Sequence, residues 1–278
     1  MTRLAGVIGS PVAHSLSPAI HRAAFDAAGV DWTYAAFEVA DGAAGDALAA
    51  MRTLRIGGLS VTMPHKSDVA RLVDRLDPAA RALDSVNTVS WDGNDLVGSS
   101  TDGAGFVASL SEAGVALDGK RVAVIGAGGA ARAVIDALAR AGSPDITVLN
   151  RNADRAEQAA ALTPVASPGI ASDITRADIV VNATSVGMGA DSADPDTPVP
   201  SDPELFRDGQ VVADLIYHPL HTRWMRLAAD RGLDVVDGLG MLVHQAALQQ
   251  RIWLGADAVI DTTAMRAAAE DALRQRHR

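Results

Sequence analysis

The stretch Val122-Ala123-Val124-Ile125-Gly126-Ala127-Gly128-Gly129-Ala130-Ala131 decides the fold. A four-residue apolar run meets glycines, and a helix-favouring stretch continues from Ala130 to Ala141. A strand that turns abruptly into a helix needs glycine wherever its backbone must approach a ligand. There the exposed N–H groups and the positive end of the helix can receive a diphosphate. The spacing is Gly126-x-Gly128-x-x-Ala131, with alanine as the small third residue. Glycine turns also close ordinary strand–helix units, so the strand before and the helix after are what point to a dinucleotide.

The rest of the nucleotide-binding pattern lies downstream. Ile146 to Leu149 reads as the second strand of the unit, ending at Asn150-Arg151-Asn152-Ala153-Asp154-Arg155. An NAD site usually places an acidic residue at this strand end, on the ribose 2′-hydroxyl. Here Asn150 and Arg151 stand there, with Arg155 one turn on, and the guanidinium fork matches phosphate oxygens. NADP is therefore expected over NAD. Asp154 falls in the first turn of a helix, where a carboxylate serves the dipole. Further strands are expected over residues 178–182, 211–215 and 233–236, with a helix over 222–231. Residues 190–203, rich in Asp, Pro and Ser, read as a mobile surface loop.

Composition bounds the function. A chain of 278 residues, 48% hydrophobic, can bury a large core, and its length suggests two domains. Net charge is −10, which argues against a nucleic-acid partner. The sequence has no cysteine, so disulfides, thiolate metal sites and cysteine nucleophiles are excluded. The apolar run near Met1–Gly9 is too short for a signal peptide, and no stretch is long enough to cross a bilayer. A soluble, cytoplasmic α/β protein with no membrane partner is expected.

Upstream of the glycine turn, residues 4–8 read as a buried strand and residues 17–28 as a helix. Ser17 before Pro18 suits an N-cap, with proline at the first helical position. Ser15 beside it has no such explanation. Two hydroxyls at a helix N-terminus also suit a carboxylate. Strands over 33–39 and 56–61 with a helix over 42–55 give a β-α-β-α-β order and a parallel sheet. Thr62-Met63-Pro64-His65-Lys66 follows at a strand end, where ligands bind in such sheets. Lys66 is there either a solvated lysine opening the next helix or a contact to a substrate oxygen; His65 has no assigned role. Asp77 to Leu83 reads as a short helix, and a hairpin turning at Asp92-Gly93-Asn94 follows. Asn87, in a β-branched stretch, either steadies a turn or touches a ligand. Thr101 or Asp102 would cap the helix that runs to Ala113. His218 and His221 lack a carboxylate at ligand spacing, so no metal is expected. Residues from Gly238 begin a long helix, and 261–274 supply another.

Together these pieces resemble the shikimate dehydrogenase family along the whole chain. The matching motifs are His14-Ser15-Leu16-Ser17-Pro18, Val61-Thr62-Met63-Pro64-His65-Lys66, Val86-Asn87-Thr88 and Thr101-Asp102-Gly103. Gly126-Ala127-Gly128-Gly129-Ala130, Asn150-Arg151, Asn182-Ala183-Thr184-Ser185-Val186-Gly187-Met188 and Gly238 through Gln245 complete the set, in the family's order. The resemblance implies an α/β substrate domain with a mainly parallel sheet (residues 1–101 and 239–278). It also implies a Rossmann-like NADP-binding domain (102–238), with the active site in the cleft between them. It places the catalytic pair on Lys66 and Asp102, and substrate contacts on Ser15, Ser17, Thr62, Asn87, Tyr217 and Gln245. Nucleotide contacts fall on Gly126, Ala127, Gly128, Gly129, Ala130, Asn150, Arg151, Arg155 and Thr184, with Leu215 and Gly238 flanking the nicotinamide. Ser60, Asp84 and Ser100 stand where the family usually has asparagine, glycine and asparagine, near the expected substrate side.

The implied reaction is reversible reduction of 3-dehydroshikimate to shikimate by NADPH, as a monomer or homodimer. A lysine with its ordinary pKa of ~10.4 is an acid near neutrality, which suits Lys66 as proton donor in reduction. A quinate/shikimate dehydrogenase with broader substrate or NAD use shares every catalytic residue. A methylenetetrahydrofolate dehydrogenase lacks a reason for the Ser15, Ser17 and Asn87 motifs. A non-catalytic nucleotide-sensing protein has no use for Lys66 together with Asp102.

Overall fold

Short runs of Val, Ile, Leu and Ala too brief for helices alternate with longer stretches of period near 3.6, which is the signature of strands covered by helices. The computed structural model describes residues 2–276 and divides into two compact units, residues 2–101 with 243–276, and Asp102–Leu242. Residues 1, 277 and 278 of the expected domain limits lie outside the described residues.

The first unit opens with β1 (Arg3–Gly9), α1 (Ser17–Ala27), β2 (Trp32–Glu38), α2 (Ala44–Leu54) and β3 (Gly58–Val61). Then come α3 (Lys66–Leu72), β4 (Arg75–Leu76), α4 (Pro78–Leu83), β5 (Thr88–Asp92) and β6 (Asp95–Ser99). The sheet order is β2-β1-β3-β5-β6-β4. β2, β1 and β3 run parallel, while β5 is antiparallel to both β3 and β6. The β5–β6 hairpin closes opposite Asp92 and Asp95, with Gly93 at φ +62° supplying the left-handed turn residue. Ile8, Leu48, Met51, Leu59, Val69, Val86, Val89 and Leu96 form one core. Phe25, Tyr34 and Trp253 belong to a second, and Gly58 lets the Trp253 ring lie where a Cβ would come within 2.4 Å of it.

In the second unit α5 (Asp102–Glu112) precedes β7 (Arg121–Ile125), α6 (Gly129–Arg140), β8 (Asp145–Leu149), α7 (Ala153–Ala160) and β9 (Ala166–Pro168). β10 (Ile179–Asn182), β11 (Val211–Asp214), α8 (Arg223–Asp230) and β12 (Asp234–Val236) follow. Every pairing is parallel, in the order β12-β11-β10-β7-β8-β9. That doubly wound order puts the glycine turn at the carboxyl end of a central strand. α5 lies close on α6 because Gly103 has no side chain: a Cβ there would meet the Ala133 carbonyl at 2.1 Å. α9 (Gly238–Leu254) contributes to this unit through Leu242 and to the first from Val243, where α10 (Thr262–Arg276) also belongs. The loop over 190–203 is a surface segment built from aspartate turns. It is held at Thr197, which is buried and donates to the Asp191 carbonyl at 2.6 Å. No helix among the described residues is long and apolar enough to cross a membrane.

Candidate active site

In the first unit the candidate residues sit at the carboxyl ends of β1 and β3 and beside the start of β5. Val61 donates its N–H to the Asn87 carbonyl at 2.8 Å, and Thr62 donates to the Ile8 carbonyl at 3.0 Å. These two bonds place Asn87 and Thr62 side by side at the rim of the sheet. Lys66 opens α3, half-buried, and its carbonyl accepts from Val86 N–H at 3.0 Å. His65, given no role by the sequence, is buried with its Nε2–H donated to the Val39 carbonyl at 2.8 Å, so it anchors the loop that presents Lys66.

The helix start at Ser15–Ser17 differs from the expectation. Ser17 is the first residue of α1 rather than its cap; Leu16 holds the capping position without a side-chain bond. Ser15 does the local work, its Oγ accepting the Ser17 N–H at 3.2 Å. Ser17 itself is buried and its hydroxyl is bonded to that of Tyr34. Thr101 also departs from the cap reading. Its Oγ1 donates to the Gln245 carbonyl at 3.1 Å and accepts from Asn87 Nδ2 at 2.9 Å, while its N–H goes to Asn87 Oδ1 at 2.9 Å. Asn87 Nδ2 further reaches Gln245 Oε1 at 3.4 Å. A long-range polar network therefore outcompetes local capping, and Asn87, Thr101 and Gln245 form one buried cluster. Asp102 follows Thr101 as the first residue of α5, in the second unit.

Two of the unusual residues have structural explanations. Asp84 is exposed and closes α4 at φ +47°, a left-handed position where glycine is the easiest residue and Asp is tolerated. Ser60 is buried, accepting from the Tyr34 hydroxyl at 2.6 Å and donating to Gln249 Oε1 at 2.7 Å. Both positions are accounted for within the first unit, one by backbone conformation and one by buried hydrogen bonds. Nothing in the structure explains Ser100.

The second unit holds the nucleotide candidates. Gly126 sits at φ +121°, and a Cβ there would meet the Ala183 carbonyl at 2.8 Å, so glycine is required twice over. Gly128 and Gly129 have ordinary backbone, yet a Cβ on either would meet nothing within 4 Å. Open space over a helix N-terminus, beside Ala127 and Ala130, suits a diphosphate. Asn150 donates to the Asn152 carbonyl at 2.9 Å, and Asn152 caps α7 by accepting the Arg155 N–H at 2.9 Å. Arg151 and Arg155 are exposed at that strand end. Gly238 lies against Leu215, since a Cβ would come within 2.4 Å of its carbonyl. Tyr217, half-buried, follows two residues on. Thr184 has both its N–H (3.0 Å) and its hydroxyl (2.7 Å) donated to Asn182 Oδ1.

Asp214, missed in the sequence, organises that corner. Its carboxylate accepts from Asn182 Nδ2 at 2.9 Å, Thr222 Oγ1 at 2.8 Å and Ile216 N–H at 3.0 Å. Burial pushes its pKa up, against those three hydrogen bonds. An aspartate ending an apolar strand beside a motif asparagine was the available signal. Among the described residues no group of His, Asp and Glu is placed to hold a metal ion.

Three family models match the chain: the shikimate dehydrogenase substrate binding domain over residues 7–89, shikimate/quinate 5-dehydrogenase over 109–188, and the shikimate 5′-dehydrogenase C-terminal domain over 238–270. A shikimate dehydrogenase (NADP(+)) from Moorella thermoacetica is 42% identical over 270 residues, covering 93% of this chain and 90% of its own. The crystal structure of shikimate 5-dehydrogenase from Thermus thermophilus, in complex with NADP(H) and shikimate, is similar with a TM-score of 0.89. It is 37% identical, over 98% of this chain and 100% of its own. A ligand-free 5-ketofructose reductase from Gluconobacter sp. strain CHM43 has the same TM-score at 35% identity, over 98% and 99% of the two chains. With curated relatives above 40% identity over nearly its full length, the chain belongs to the shikimate dehydrogenase family.

Proposed function

We propose that this chain catalyses the NADP-dependent, reversible reduction of 3-dehydroshikimate to shikimate, in the synthesis of aromatic amino acids. The single observation that carries the reading is the clustering of Thr62, Lys66, Asn87 and Gln245 at one sheet rim, in a chain whose other unit carries a built nucleotide turn. When bound, the cofactor supplies the hydride. The residues of the glycine turn, Gly126 to Ala130, take the diphosphate, and Arg151 and Arg155 take the 2′-phosphate with Asn150 beside them. Leu215 and Gly238 flank the nicotinamide, and Thr184 shapes the adjoining loop from its bonds to Asn182.

Ser15 and Ser17 grip the substrate carboxylate at the start of α1, Ser17 turning its hydroxyl proton from Tyr34 to the carboxylate, while Thr62, Asn87, Gln245 and Tyr217 bind ring hydroxyls. Lys66 donates a proton to the oxygen of the ketone as it becomes an alcohol, and takes it back in oxidation. Asp102 keeps the amine charged and oriented. We further take the protein to act in the cytoplasm, as a monomer or homodimer.

The 5-ketofructose reductase among its structural relatives makes the substrate the point to test. Purified protein is mixed with NADP⁺ and shikimate while the NADPH absorbance band is followed, then with quinate, with NAD⁺, and in reverse with 5-ketofructose and NADPH. The reading expects the highest kcat/KM for shikimate with NADP⁺. A higher value with quinate, NAD⁺ or the keto-sugar would replace it.

A further inference from the structure

Gln249 lies four residues beyond Gln245 on α9, fully buried, and has no part in the machinery described above. Its side chain touches three elements. Nε2 donates to the Asn87 carbonyl at 3.0 Å, while Oε1 accepts from Ser60 Oγ at 2.7 Å and faces His21 Nε2 at 3.2 Å. The amide can point only one way, because its reverse would set Oε1 against the Asn87 carbonyl, two acceptors with no proton between them.

That one orientation fixes its neighbours. Gln250 Nε2 donates to the His21 carbonyl at 3.0 Å and lies 3.2 Å from His21 Nδ1, so Nδ1 accepts and the ring proton sits on Nε2, toward Gln249. Ser60 spends its single proton on Gln249 Oε1. Its oxygen therefore takes the Tyr34 hydroxyl proton at 2.6 Å, and Tyr34 is left as the acceptor for Ser17. The Tyr34 ring is stacked on His21 at 4.3 Å, 6° from parallel, which holds the two rings against each other.

We infer that Gln249 is a positioning residue for substrate binding: through one buried amide, ordered by Ser60 behind it, it sets the main chain of Asn87. The inference rests on the reading above that Asn87 binds shikimate. It also accounts for Ser60, whose short hydroxyl leaves room for the glutamine amide on this sheet face.

The test is Gln249→Glu, which keeps the volume and the acceptor but sets a second oxygen against the Asn87 carbonyl. The KM for shikimate should rise about tenfold or more while the KM for NADP⁺ stays within about twofold, as expected when a buried acceptor loses its donor. Gln250→Met is the matched control: equally buried and also bonded to His21, but touching neither Asn87 nor Ser60. It should lower Tm and leave the shikimate KM unchanged. If Gln249→Glu fails to fold, Ser60→Ala carries the test, with the same one-sided rise in shikimate KM expected. A folded Gln249→Glu protein with the parent's shikimate KM, or equal rises for both ligands or in the Gln250→Met control, would overturn the inference alone. A parent protein without shikimate-dependent NADP⁺ reduction would overturn both it and the reading beneath it.

Discussion

Stability should fall on mild acidification because of His21. Its ring is wholly buried against Phe25, Tyr34 and Trp253, with both nitrogens hydrogen-bonded to glutamines. Burial pulls its pKa from 6.5 to about 3, with the Gln249 bond acting in the opposite direction. Above pH 6.5 the ring is neutral in both folded and unfolded chains and contributes no pH dependence. Below it the unfolded chain binds a proton that the folded chain refuses. Stability is therefore lost as pH falls, by about 1.4 kcal/mol per unit, until the folded pKa is reached. At about pH 5 the loss is about 2 kcal/mol, or roughly 4–8 °C in Tm for the unit concerned. Asp74 and Asp178 also have pKa values held low, chiefly by hydrogen bonds from Arg52 and Arg121, but they release their stabilisation only below the unfolded value of 3.8. Asp214, whose pKa burial raises, acts in the opposite sense in parent and variant alike, so the difference between their slopes over about pH 5 to 6.5 reports the imidazole. Thermal melts of parent and His21→Gln proteins at about pH 7 and pH 5 make the measurement. The variant should lose the imidazole's part of the slope whatever its absolute stability, and an unchanged slope would refute the assignment.

Two further outcomes follow from the proposed contacts. Replacing Ser15 and Ser17 by alanine should raise the KM for shikimate by the equivalent of roughly 1.5–3 kcal/mol for each lost bond to a carboxylate, and an unchanged KM in the double variant counts against the grip. Arg151→Ala should narrow the preference for NADPH over NADH; if the ratio of kcat/KM values stays at the parent's, the 2′-phosphate lies elsewhere.

What was legible in the sequence was whatever rests on short-range pattern. The run Val122 to Ile125 into Gly126 declares a strand and a tight turn, because only a buried strand tolerates such continuous apolarity before glycine. The hairpin at Gly93 and the start of α4 at Asp77-Pro78 were readable for the same local reason, and Asp77 does cap α4, accepting the Ala80 N–H at 2.6 Å. Local rules failed at Ser17 and Thr101, where partners from distant strands and from α9 claim the hydroxyls. Gln249 was invisible because its partners, Ser60 and Asn87, are more than 150 residues away. Asp214 belongs to the same class: its meaning comes from Asn182 on the neighbouring strand and from Thr222 beyond the following loop.

The most direct measurement is the turnover of Lys66→Ala. If the amine at the start of α3 supplies the proton to the reduced ketone, kcat should drop by about 10²–10⁴ while the affinity for NADPH stays near the parent's. A folded Lys66→Ala protein that reduces 3-dehydroshikimate at close to the parental rate would contradict the account.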